Sequence, residues 1–157
     1  MSGKEHEYVA RLTWDGNPGD GTASYERYGR QFVVQIDGKP DLRGSADPQF
    51  RGDAALHNPE DLFLAAISTC HMLSYLALCA RRGVRVVAYE DEARGTLRFD
   101  GTGGGRFVEV TLHPRVTISA DSDLALAREL HGEAHETCYV ASSCSVPIHH
   151  QPVVATA

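Results

Sequence analysis

The longest apolar stretch of the chain is LFLAAISTCHMLSYLALCA, Leu62 to Ala80, 19 residues without an acid, a lysine or an arginine. Just upstream, Asn58 stands in capping position, Pro59 suits the first helical position, and Glu60 and Asp61 fill the first turn. Asn58 and Asp61 have capping-box spacing, and the acids complement the positive helix end. Arg81 and Arg82 suit the negative end, and Gly83 supplies a stop. The pattern predicts a helix over 59–82, about 36 Å long. Its length would permit a marginal membrane span. However, Ser68, Thr69, Cys70, His71, Ser74 and Cys79 dilute it, and no second apolar stretch accompanies it. The reading is a helix buried in protein, with no membrane involved. Because it is apolar nearly all round, it needs cover on most sides. A chain of 157 residues can hardly supply that cover alone, so the helix is expected at the centre of a homodimer.

Around it the pattern is mostly that of short strands. His6–Thr13, Thr22–Tyr28 and Gln31–Ile36 read as strands, with the turn-rich WDGNPGDG at 14–21 between the first two. Residues 38–58 show no sustained period. Val84–Phe99 reads as one long strand with a bend near Glu90 to Ala93. The turn DGTGGG (100–105) then sends the chain back through Phe107–Leu112 and Arg115–Ser119 as a hairpin. That loop lacks GxxxxGK[ST] and precedes no helix, so it is a turn and not a phosphate cradle. Asp121 or Ser122 caps a second helix, Asp123 to about Cys138, with Leu124, Ala127, Leu130 or His131, Ala134 and Cys138 on its inner face. Ser145–Val154 holds a last strand. No repeat or composition break divides the chain, and the expectation is one α+β domain over 1–157.

Composition narrows the function. Fifteen Lys+Arg against 21 Asp+Glu leave a net charge of −6, which argues against binding nucleic-acid backbones. The N-terminus, MSGKEHEYVARLTW, lacks the apolar core of a secretory signal, so a cytoplasmic protein is expected, with free thiols as the default. The four cysteines fall at 70, 79, 138 and 144. Cys79 lies roughly 180° around an ideal helix from Cys70 and reads as core. Cys138, near the end of the second helix, meets Cys70 if the two helices cross. Cys144, in the small-residue loop SSCS, is open to either role. A reactive thiol needs cationic or dipolar surroundings, and Arg51 in QFRGD is a candidate for that charge.

The segment ADPQFRGDAALHNPEDLFLAAISTCHMLSYL, with NPED followed nine residues later by a mid-helix cysteine, resembles the OsmC/Ohr proteins, the osmotically induced and organic-hydroperoxide-resistance family. Cys138 in EAHETC, 68 residues after Cys70, stands where the second thiol is expected. The DP-x-FRGD and SxCHMLxYL patterns are most similar to the OsmC-like branch. The resemblance implies an OsmC-like fold: antiparallel sheets packed around a long central helix, in an intertwined homodimer. It implies a thiol peroxidase acting on organic hydroperoxides, with Cys70 peroxidatic and Cys138 resolving. An external dithiol, for which a lipoylated protein is a candidate, would reduce the pair. The acidic partner falls on Glu60, with Asp61 in place of a second glutamate, and the activating arginine on Arg51, with Arg30 in reserve. No metal or other cofactor is implied. The chain departs from the best-known members in HETCYVASSC, which lacks their Cys-Pro, and in His71 beside the nucleophile. The His71 ring should point about 100° away from Cys70 around the helix, as a packed residue.

Two other readings compete. His131, His135 and Cys138 share one face of the second helix and, with Cys70, offer soft ligands for zinc. The cysteines could equally be packing residues of a dimeric ligand-binding or structural protein. Apolar side chains such as Phe63, Ile67, Met72 and Leu73 would line a hydroperoxide pocket in the first reading and form core in the others.

Overall fold

A computed structural model describes residues 3–157. The first two residues, part of the N-terminus read as non-secretory, lie outside it. The chain groups into two compact units, 1–62 and 63–157.

Unit 1 carries a three-stranded antiparallel sheet of β1 (Arg11–Trp14), β2 (Phe32–Gln35) and β3 (Leu42–Gly44). The first strand is shorter than its alternation suggests. Thr22–Tyr28, expected as a strand, is a run of turns. Just before it Asn17 Oδ1 accepts from the Gly19 and Gly21 N–H groups at 2.8 and 2.9 Å, within it the Arg27 N–H donates to the Ser24 carbonyl at 3.2 Å, and Arg30 packs 3.7 Å over the Tyr28 ring. These local bonds compete with any sheet ladder. The aperiodic stretch 38–58 yields β3 and a single 3-10 turn at Pro48–Phe50 capped by Asp47. Gly52 is required behind that turn, because a Cβ there would lie 1.6 Å from the Ala46 carbonyl oxygen.

The long helix α1 spans Pro59–Arg81, beginning in unit 1. Its capping box forms as expected: Asp61 N donates to Asn58 Oδ1 at 2.9 Å and Asn58 N to Asp61 Oδ2 at 3.2 Å. At the other end Gly83, at φ +77°, lets the Val84 N–H reach back to the Cys79 carbonyl at 2.9 Å. The chain buries only one stripe of α1, Ile67, His71, Tyr75 and Cys79, at four-residue spacing. By length and composition α1 could cross a bilayer, and no other helix among the described residues could. The cover expected on most of its sides is thus not supplied within the chain; Leu73 on the far face is 62% exposed.

In unit 2 the predicted long strand is two, β4 (Val86–Asp91) and β5 (Arg94–Phe99), parting at the anticipated bend. The return limb divides likewise into β6 (Gly105–Leu112) and β7 (Pro114–Ile118). The hairpin therefore serves two sheets, ordered β4-β7-β9 and β5-β6-β8. The pairs β4–β7 and β5–β6 are antiparallel, as expected. The last strand breaks at Gln151-Pro152 into β8 (Ile148–His150) and β9 (Val153–Thr156), which join β6 and β7 in parallel. Parallel addition follows from the crossover through α2 (Leu124–Thr137), capped by Asp123, and the short α3 (Tyr139–Ser142). One core joins Tyr75 and Cys79 of α1 to Val116, Ile118, Val154 and α2; a second joins Ile67 to Val110 and Leu112.

Polar rings sit inside this packing. Tyr75 donates its hydroxyl to the Ala127 carbonyl at 2.9 Å and stacks on His131 at 3.8 Å between centroids. His71 Nε2 meets His131 Nδ1 at 3.1 Å, and His150 of β8 stacks on His71 at 5.7 Å. Burial, followed by neighbouring histidines, holds His71 down to about 4 and His131 to about 3. Both rings are thus neutral in the folded protein, while an unfolded imidazole titrates near 6.5.

The unfolded chain therefore binds more protons than the folded one between those values, so stability present above about pH 6.5 is lost as pH falls towards about 4. Urea unfolding from about pH 7.5 to 4.5 should show this decline, and replacing both His71 and His131 with leucine should flatten it above about pH 5. Replacing Asn58 with alanine should lower unfolding free energy by about 1 kcal/mol through loss of the cap, read as a lower urea midpoint at unchanged slope.

Candidate functional site

Cys70 lies on α1 one residue before His71, on the flank of the buried stripe, and is half-buried. Cys138 is where α2 stops: it caps the end of α2 and the start of α3, is 1% exposed, and its Sγ accepts from the Ala141 N–H at 3.5 Å. The fold brings these two free thiols into one neighbourhood, near enough for the Cys70 sulfur to act on the Cys138 thiol. Burial, followed by the nearby Cys70 sulfur, pushes the Cys138 thiol up to about 11, so it keeps its proton at neutral pH.

Beside the pair runs a groove of about 510 Å³, lined along α1 by Ala66, Cys70, Leu73, Ala77 and Arg81 and across from it by Tyr139 and Val140. The α1 positions recur at three- and four-residue intervals, one helical stripe. That spacing was present in the sequence, but nothing local marked this stripe as the open one. Of the apolar side chains expected around the site, Leu73 lines the groove. Ile67 is core, and Phe63 packs on Phe107 at 5.0 Å. Tyr139, 85% exposed at the groove and standing directly after Cys138, was not anticipated.

The other two cysteines separate cleanly. Cys79 is buried in the core, where burial pushes its thiol up. Cys144 is half-buried and donates to the Ala141 carbonyl at 3.6 Å.

The charged residues assigned by resemblance all lie in unit 1. Arg51 caps the 3-10 turn in the left-handed region, at φ +65°, and its Nη2 donates to the Glu26 carbonyl at 3.2 Å. Arg30 donates to the Tyr25 carbonyl at 2.6 Å and to that of Tyr28. Glu26 is held below the usual carboxylate range, first by its bond from Ser24 and further by Arg51 and Arg30. Glu60 occupies the first turn of α1, half-buried; no ion pair joins it to either arginine among the described residues. His71 is the packed residue its helical angle indicates, 2% exposed. The zinc set does not assemble: among the described residues no group of three His, Cys, Asp or Glu side chains is placed to hold a metal ion.

The family model for OsmC-like protein matches residues 52–151, which include both thiols of the pair. An OsmC-like protein of unknown function from Vibrio cholerae is 29% identical and superimposes with a TM-score of 0.85, over 95% of this chain and 100% of that one. The organic hydroperoxide resistance protein OhrB of Bacillus subtilis shares the fold at 22% identity, with a TM-score of 0.58 over 94% and 98% of the two chains. The uncharacterized protein YmaD of Bacillus subtilis is 23% identical over 141 residues, 87% of this chain and 85% of its own length. With residues 52–151, more than half of its length, matched by that model, the chain belongs to the OsmC-like protein family.

Proposed function

We propose that this protein is a thiol peroxidase that reduces organic hydroperoxides to alcohols. The observation carrying this reading is the meeting of Cys70 and Cys138, far apart in the chain, as free thiols beside a largely apolar groove. The kinship with a hydroperoxide resistance protein supports it at the level of the family.

In the proposed cycle the Cys70 thiolate attacks the terminal peroxide oxygen. The O–O bond breaks, the alkoxide leaves and takes a proton as the alcohol, and Cys70 becomes a sulfenic acid. The Cys138 sulfur then attacks Cys70; its proton departs with the sulfenic hydroxyl as water, and a disulfide forms. An external dithiol, such as that of a lipoylated protein, restores both thiols by exchange. Arg51 is assigned the charge that favours the thiolate and Glu60 its acidic partner, with Arg30 as the alternative. The groove takes the organic part of the substrate. The reading needs no metal. The setting is cytoplasmic, and a second copy of the chain covers the exposed face of α1, where Leu73 would otherwise face water.

Turnover of alkyl, aryl and lipid hydroperoxides with a dithiol reductant tests the reading, with hydrogen peroxide as the poorer substrate. Cys70→Ser should lower turnover at least about 100-fold, and undiminished activity in that variant would overturn the mechanism. Cys138→Ser should stop Cys70 at the sulfenic acid, trapped by dimedone and seen by mass spectrometry. Arg51→Ala should reduce kcat/KM about tenfold or more, while the same loss in Arg30→Ala alone would move the role to Arg30.

A further inference from the structure

The side chains that tie α1 to α2 are polar and regularly placed. Tyr75 Oη donates to the Ala127 carbonyl, and His71, one turn earlier on α1, meets His131, one turn later on α2, at 3.1 Å. The two contacts form successive rungs of an antiparallel pairing. Both sit in the interior: Tyr75 and His131 are 0% exposed and His71 2%. Immediately beyond the second rung, Cys70 precedes His71 on α1, and Cys138 closes α2 two turns after His131.

A buried imidazole pair is a costly way to fill space, since apolar groups of like volume pack there without desolvating nitrogen. The cost is visible at His131, whose Nε2 has no hydrogen-bond partner among the described residues. What the pair supplies in return is direction. An N–H···N bond fixes distance and angle, whereas apolar contact lets helices slide. For two thiols that must form a bond of fixed geometry, a small shift of α1 along α2 decides whether they can join.

We propose that His71 and His131 are positioning residues, whose hydrogen bond holds α1 against α2 in the register at which Cys70 and Cys138 can form a disulfide. This rests on reading those cysteines as the redox pair, and it does not require that their oxidant be a hydroperoxide. Among the described residues no hydrogen bond joins either imidazole to Cys70 or Cys138. The bond acts by keeping the effective concentration of one thiol at the other high, and so favours the disulfide at equilibrium.

The test uses the full chain and no peroxide. Diamide oxidises the pair, its N=N bond taking the two electrons and two protons that the thiols lose. The disulfide is then equilibrated with reduced and oxidised dithiothreitol, where one disulfide opens as the other closes. Alkylation and peptide mass mapping read the Cys70–Cys138 fraction. Since His71 bonds through Nε2 and His131 through Nδ1, His71→Gln and His131→Asn can keep the hydrogen bond, while His71→Leu removes it. The double variant His71→Leu/His131→Leu removes it while keeping the interior filled, which protects the test from simple unfolding.

The leucine variants should move the equilibrium at least about tenfold against the disulfide, a rise of about 30 mV for this two-electron couple. The glutamine and asparagine variants should stay within about threefold of the unsubstituted protein. Wild-type equilibrium in the double leucine variant would overturn the proposal, as would equal losses in the leucine and amide variants. Failure of diamide to produce any Cys70–Cys138 disulfide in the unsubstituted protein would overturn both this proposal and the redox pair. A hydroperoxide assay without turnover, beside a normal leucine-sensitive equilibrium, would overturn the peroxidase reading alone.

Discussion

The larger unit depends on one narrow stripe of α1. Ile67, His71, Tyr75 and Cys79 recur every fourth residue, and each enters the interior against a different neighbour: β6, the histidine stack, α2, and the β7–β9 core. Four residues make slightly more than one helical turn, so the stripe drifts around the axis and reaches both sheets in succession. Committing that stripe to the core turns Cys70 to its margin. There it is half-buried, neither locked in apolar packing like Cys79 nor fully open to solvent.

The chemistry of the second thiol follows from where α2 ends. A cysteine inside a helix has its backbone satisfied and its side chain facing one direction. At the junction of α2 and α3, the Cys138 backbone is extended and its sulfur accepts from the Ala141 N–H. Burial and then the nearby Cys70 sulfur keep its proton on. The interior beside it is unusual in being aromatic and polar together, with Tyr75 on His131 and His71 against both His131 and His150. Such rings keep helices apart by their own thickness and still connect them by directed bonds.

Much of this was legible beforehand where local physics decides. The α1 start at Pro59 and stop at Gly83 and the bend in the Val84–Phe99 limb all depend on a few neighbouring residues; the cap of α2 falls on Asp123, just past the Asp121 or Ser122 expected. Elsewhere a nearby competitor won. In Thr22–Tyr28, the turn bond from Arg27 to Ser24 and the packing of Arg30 on Tyr28 replaced an expected strand. β3, with one paired edge on β2, emerged from a stretch that shows no alternation, because its partner strand supplies the ladder that its own pattern does not announce. Tyr139 could be recognised as a groove residue only once the end of α2 was placed.

By itself the sequence determined the long apolar helix, its capping, the α+β class, the family, and the separation of Cys79 from Cys70 by helical angle. These are short-range consequences of spacing and residue type. Only the tertiary structure decided which face of α1 is buried, that His71 finds His131 sixty residues away, and that Cys138 rather than Cys144 meets Cys70. Contacts of that range depend on how the whole of the larger unit brings α1 against α2, and no window of sequence contains that information.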